Sequence, residues 1–215
     1  MDDRFSRVRK ILGEDFEKLP KAKVLLFGVG GVGGVCLDAL YRSGVSDITI
    51  VDFDCFDVTN QNRQLGSEAI GEVKVHRLAK LYPTLTPIEK LVTPEWIETF
   101  DFSPYDIVID AIDDMPSKVA IAKKVSHKLI SSSGGAKKID TTKIRYASIW
   151  KTHGDALAKK FRYELKKAGF AGDFLTVFSD EEPKCKDLGS LMCVTGAFGF
   201  ALASLAIRKI IGDLE

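Results

Sequence analysis

No CxxC spacing joins any of the four cysteines, Cys36, Cys55, Cys185 and Cys193, and only His76, His127 and His153 stand beside them as further soft ligands. That argues against a structural zinc site, which draws its ligands from closely spaced pairs. Thiols scattered in this way are expected to stay reduced and unpaired inside a cell. The N-terminal Met1-Asp2-Asp3-Arg4 lacks the apolar stretch of a secretory signal, so the sequence predicts a cytoplasmic protein. Net charge is nearly absent as well, at +1, and points to no class of partner. Internal repeats and low-complexity tracts are missing. The one long uncharged run, Leu191 to Ile207, only touches the lower length limit of a membrane span. Thr195, Gly196, Gly199 and Ser204 interrupt it, and small residues of this kind suit a helix packed tightly against protein. A buried helix is the expectation, with membrane attachment the lesser reading.

What is present reads as alternating strand and helix. Apolar patterning predicts a helix over 4–13, then strands at 24–28, 48–52, 87–91, 105–111 and 129–133. Helices are expected at 31–43, 73–82 and 116–127, and a polar loop at 54–72. The continuous apolar run at 107–109 suits a strand buried on both faces. Such alternation implies parallel strands joined by right-handed crossovers, an α/β doubly wound, Rossmann-like, mainly parallel sheet. Ligands in such sheets bind beyond the C-terminal ends of the strands.

After residue 136 the pattern changes. A strand is expected over 143–150, an amphipathic helix over 155–168, a loop over 169–190 and then the apolar helix. At 215 residues the chain is expected to form a single domain, 1–215. Its nucleotide-binding core would span about 20–135, and an antiparallel and helical elaboration for substrate about 136–215.

Three signals follow one another in the first half. A short strand runs into Gly28-Val29-Gly30-Gly31-Val32-Gly33, where Gly28, Gly30, Gly31 and Gly33 let backbone N–H groups approach a phosphate at a helix N-terminus. Asp52 and Asp54 follow the second strand, where a carboxylate can reach a ribose hydroxyl. Asn60-Gln61-Asn62-Arg63-Gln64 then places an Arg and amides beside the phosphates, which a plain dinucleotide site does not need. The combination points to ATP chemistry. Acyl activation requires cations near the triphosphate, for which Arg63 and Lys74 are candidates, and a carboxylate for magnesium, for which Asp113 is the candidate. Helix capping is the competing role for Asp113 and Asp114, because Pro116 and a helix come next.

These residues resemble the ThiF/MoeB/ubiquitin-activating superfamily, whose members adenylate a carboxylate with ATP and magnesium. The likeness rests on the glycine run, Asp52-Phe53-Asp54, Asn60 with Arg63-Gln64, Lys74 in Gly71-Glu72-Val73-Lys74, and Ala111-Ile112-Asp113-Asp114. It implies that Asp54 binds ribose, that Asn60, Arg63, Gln64 and Lys74 bind phosphates, and that Asp113 holds magnesium. Arg4-Phe5-Ser6-Arg7 resembles the superfamily's Arg-aromatic-x-Arg element, which makes Arg7 a candidate arginine finger in the partner's site and implies a homodimer.

Within the superfamily the chain is similar to the tRNA threonylcarbamoyladenosine dehydratases. The resemblance is carried by Val58 to Gln64, Ser133-Gly134-Gly135-Ala136 through Ile144, Asp155 through Leu165, and Thr195 to Phe200. It implies ATP-dependent cyclisation of the modified adenosine beside the tRNA anticodon. A tRNA substrate would also account for ten Lys or Arg against three acids between Ala136 and Ala168, with Lys137, Lys138, Lys159, Arg162 and Lys166 as candidate phosphate contacts. The other enzyme reading is adenylation of the C-terminal glycine of a ubiquitin-like or sulfur-carrier protein, for which Arg7 and the cysteines near 185–193 speak. A nicotinamide-dependent oxidoreductase and a non-catalytic binding module also stay open.

Overall fold

Seven strands form one sheet in the order β3-β2-β1-β4-β5-β7-β6, with every neighbouring pair parallel except the last. The computed structural model describes residues 3–214; Met1 and Asp2, part of the N-terminal stretch read for a signal, lie outside them. In chain order the elements are α1 (Ser6–Leu12), β1 (Lys23–Phe27), α2 (Gly33–Ser43), β2 (Asp47–Asp52), α3 (Lys74–Leu81), β3 (Leu85–Glu89), α4 (Pro94–Thr99), β4 (Ile107–Asp110), α5 (Met115–Val125), β5 (Leu129–Ser132), β6 (Ile144–Ser148), α6 (Ala156–Lys167), β7 (Leu175–Ser179) and α7 (Met192–Ile211).

Two hydrophobic layers cover the sheet. Val24 and Leu26 of β1 face the layer that includes Leu37, Phe198 and Leu202, whereas Leu25 and Phe27 face the one holding Ile97, Ile121 and Phe161. Alternate side chains of one strand thus enter opposite cores, which is why β1 and β4 read as largely unbroken apolar runs. The chain leaves β1 toward β2 on one side and reaches β4 on the other, so strand order reverses between β1 and β4. A crevice opens at such a point beyond the strand ends.

The apolar run 191–207 is the core of α7, a helix long and apolar enough to cross a membrane by length and composition. Val194, Phe198, Leu202 and Ala206 are buried, and Gly199 packs against the start of α2. A Cβ there would stand 2.5 Å from the Val32 carbonyl oxygen, a separation only glycine permits.

Three of these elements differ from expectation. Residues 169–190 hold β7 rather than a continuous loop, and it inserts between β5 and β6. The strand expected at 87–91 begins at Leu85 and contains Pro87, which its place at the sheet edge allows. The short helix α4 was not anticipated, although Thr93 caps it by accepting the Trp96 N–H and Pro94 opens its first turn.

Candidate active site

The glycine turn between β1 and α2 is locked from two sides. A Cβ on Gly33 would lie 1.8 Å from the Gly28 carbonyl oxygen, so the turn closes only with glycine at that position. At the end of β2, Asp52 accepts the Val29 N–H and the Asp54 N–H, each at 2.9 Å. One carboxylate therefore ties the glycine turn to the acidic turn beside it. Asp52 and Asp54 were both candidates for a carboxylate at the ribose; Asp52 serves as a brace, since each of its oxygens accepts a backbone N–H group. Asp54 is the more available carboxylate, with its side chain half-exposed and its Oδ2 at 2.8 Å from the buried Lys74 ammonium.

The polar segment after β2 folds against the glycines. Asn60 accepts the Asp57 N–H at 3.2 Å within a reciprocal capping box, which occupies its carbonyl and leaves its NH2. Arg63 donates from Nη1 to the Thr59 carbonyl at 2.8 Å and to Asn62 Oδ1 at 2.7 Å. Its Cγ lies 3.1 Å from where a Cβ on Gly31 would stand, and Gln64 Nε2 lies 3.7 Å from the same position on Gly30. Gln64 is buried, yet its Oε1 has no partner among the described residues. A buried polar atom left unpaired at a cleft wall marks a group that awaits a ligand or water.

Asp113, the residue expected to hold a cation, and Asp114, for which capping was the more favoured role, take different places. Asp114 caps α5, accepting the Ser117 N–H at 2.9 Å and its hydroxyl at 2.6 Å. Asp113 is exposed, borders the cleft and accepts no hydrogen bond among the described residues. The turn that carries it is held by a pair which sequence reasoning missed. Lys118 and Asp110 are fully buried at 2.7 Å. Lys118 also donates to the carbonyls of Ile112 and Ser132, while Asp110 accepts the Ile112 N–H and the Ser131 hydroxyl. The only advance sign was an aspartate closing a strand buried on both faces, which demands a partner.

All of this opens into one cleft of about 1320 Å³, beyond the range of about 300–1000 Å³ usual for a single small-molecule site. Gly28, Gly30 to Val32, Asp52 to Asp54 and Lys90 to Val92 line one part of it. Ser133 to Lys138, Gly154 to Leu157, Lys160, Glu181 to Pro183 and Leu188 to Ser190 line the other.

The far end corrects one expected phosphate contact, Lys138. Lys138 is buried, its ammonium 2.9 Å from Asp155 and 2.6 Å from the Ser179 carbonyl. Lys137, at φ 66°, donates its N–H to the Gly189 carbonyl and its ammonium to the Lys186 carbonyl. Lys138 is spent on the cleft wall and does not present its charge outward, whereas Lys137 is half-buried and its ammonium stays at the surface. Arg162 is half-buried against the Thr152 hydroxyl, whereas Lys159 and Lys166 are exposed. Arg7 is exposed on α1 and does not line the cleft of its own chain. Ser133, just past the end of β5, lines the cleft as strand order led one to expect, and Asp155, Lys160 and Glu181 line it without having been singled out for it. Asp155 accepts the Ser133 hydroxyl at 2.9 Å and caps α6 through the Ala158 N–H. Glu181, buried, accepts the N–H groups of Ile139 and Asp140.

The ThiF family model matches residues 4–215. The tRNA threonylcarbamoyladenosine dehydratase of Bacillus subtilis is 39% identical over 84% of this chain and 76% of its own length. The Escherichia coli enzyme of that name is 31% identical over 96% of this chain and 93% of its own. Crystal structures of the E. coli enzyme superpose with a TM-score of 0.92 in complex with AMP, covering 98% of this chain and 95% of that one, and of 0.90 in complex with ATP. By sequence and by fold, this chain belongs to the ThiF family.

Proposed function

We propose that this chain adenylates the threonyl carboxylate of threonylcarbamoyladenosine in tRNA with ATP and then closes the ring, removing one water from the nucleoside. The carrying observation is that the glycine turn, the acidic turn after β2 and the 133–138 and 154–157 segments line one cleft of about 1320 Å³, with the exposed Asp113 bordering it. The homologues named as dehydratases and their AMP- and ATP-bound structures support the same reading.

The chemistry follows from the groups present. Asp54 is placed for the ribose, and the N–H groups of the glycine turn for phosphate. Arg63 and Lys74 supply fixed positive charge as negative charge builds on departing pyrophosphate. The substrate carboxylate attacks the α-phosphorus and pyrophosphate leaves. The ureido group then attacks the activated acyl carbon and gives up its proton, and AMP departs with the former carboxylate oxygen. Asp113 fits a hard cation, since its carboxylate is exposed and unpaired, and magnesium held there with phosphate oxygens would supply charge neutralisation. Among the described residues no cluster of three or more Asp, Glu, His or Cys forms a protein-only metal cage, which agrees with a cation shared with substrate phosphates. On this reading the active form is a homodimer in which Arg7 reaches the partner's site, and the enzyme works in the cytoplasm, where tRNA is.

The test is isotope exchange between ATP and pyrophosphate. Exchange that requires tRNA bearing the modified nucleoside supports the proposal; exchange that requires instead a small protein ending in Gly-Gly overturns it in favour of the sulfur-carrier reading. Exposed thiols at Cys185 and Cys193 are the observation favouring that second reading. Cys36 is no candidate, because burial pushes its thiol far above the usual range and keeps it protonated. Cyclisation needs no enzyme thioester, since the nucleophile is already in the substrate. Replacing Cys185 and Cys193 together with Ser should therefore keep dehydration within about twofold of wild type, as measured by AMP release. A nicotinamide oxidoreductase would be revived only by tight NADH binding without any response to ATP.

A further inference from the structure

The sequence suggested a basic track over Lys159, Arg162 and Lys166, but the helix turns differently in its surroundings. Ala158, Phe161 and Leu165 are buried, and Arg162 is half-buried against Thr152. At 3.6 residues per turn, the face opposite that buried stripe is centred on Tyr163. Lys160 and Lys167 flank it on one side, and Lys159 and Lys166 on the other. All four lysines are exposed, and Tyr163 is 64% exposed. None of the four forms an ion pair among the described residues, and Glu164, the only acid within the helix, is half-buried at the edge of the face. Lys160 also lines the cleft, so this face begins at the mouth of the site.

We propose that the Tyr163 face of α6 is the docking track for the RNA strand that carries the modified nucleoside, with Tyr163 stacking on an unpaired base next to it. This rests on the tRNA reading above and adds residues which that reading does not supply. An exposed phenol costs little to place but gains a partner wherever a base presents its π-face, and lysines on both sides neutralise phosphates on either side of that base. RNA is read mainly through unstacked loop bases that can be splayed onto aromatic side chains, and an anticodon loop provides them. Arg162, tied to Thr152, positions the helix and does not touch the strand.

The experiment measures binding and conversion of an anticodon stem-loop bearing threonylcarbamoyladenosine by the full chain, with ATP affinity recorded in parallel. Tyr163→Ala should weaken RNA binding roughly tenfold and raise KM to match, leaving ATP affinity and the salt dependence of RNA binding unchanged. Tyr163→Phe should bind as wild type, since the ring and not the hydroxyl carries the contact. Lys160→Ala or Lys167→Ala should instead flatten the slope of log affinity against log salt by about 0.7 each. If Tyr163→Ala converts the stem-loop with wild-type KM, the track is elsewhere and this proposal fails while the dehydratase reading stands. If wild-type protein neither binds nor converts the RNA, and an acidic Gly-Gly-ended protein binds this face, both readings fail together.

Discussion

Asp113→Asn should lower AMP formation from ATP and tRNA by roughly two to three orders of magnitude, the range found when one preorganised electrostatic group is removed from a reaction centre. The substitution keeps the shape of the side chain and removes its negative charge. Asp113 accepts no hydrogen bond among the described residues and is exposed, so stability should change by no more than about 0.5 kcal/mol. Loss of rate without loss of fold is therefore expected. The magnesium concentration giving half-maximal rate should rise, because an amide is a poorer ligand for a hard cation than a carboxylate. Asp114→Asn gives the contrast. It leaves a cap acceptor for the Ser117 N–H, and asparagine caps nearly as well as aspartate, so it should be almost silent in both assays. Equal rates for Asp113→Asn and wild type would remove Asp113 from the site.

Lys118→Met should produce the largest loss of stability, about 3–5 kcal/mol, because it strands a buried carboxylate. Asp110 and Lys118 are both inaccessible to water and lie 2.7 Å apart. The double change Asp110→Asn with Lys118→Met should recover part of that loss, since no unpaired charge remains inside, although the carbonyls of Ile112 and Ser132 still lose a donor. Urea denaturation of the three proteins checks the order wild type, double variant, single variant. A single variant as stable as wild type would mean that the pair does not hold these turns. The consequence reaches function, because the same ammonium ties the turn before Asp113 to the end of β5, from which Ser133 enters the cleft.

Much of the nucleotide end was legible because its chemistry needs residue types that stand out in a sequence. A glycine turn, an aspartate after the next strand and an arginine among amides are each unusual where they occur. The structure places Gly30, Gly31, Arg63 and Gln64 side by side as that pattern required. β1 and β4 were readable because burial on both faces writes continuous apolar runs, and β2 because Ile48, Ile50 and Val51 come close to one. β7 was not, since Leu175 to Ser179 is short, contains buried Thr176 and Ser179, and follows Gly169 and Gly172, which read as loop. Its stability comes from a place between two other strands, which composition does not display. Buried lysines were the other blind spot. Lys118 and Lys138 look like surface charge in a list of residues, and only the fold brings Asp110 and Asp155 against them. Counting basic residues between Ala136 and Ala168 therefore overstated the charge available to RNA.

The most direct test of the account is mass spectrometry of the nucleoside recovered from tRNA bearing threonylcarbamoyladenosine after incubation with this protein, ATP and magnesium. The account predicts a nucleoside lighter by one water, AMP released in equal amount, and both products formed roughly two to three orders of magnitude more slowly by Asp113→Asn. A nucleoside of unchanged mass from a preparation that still binds ATP would contradict it and turn the search toward a protein C-terminus as the carboxylate that this site activates.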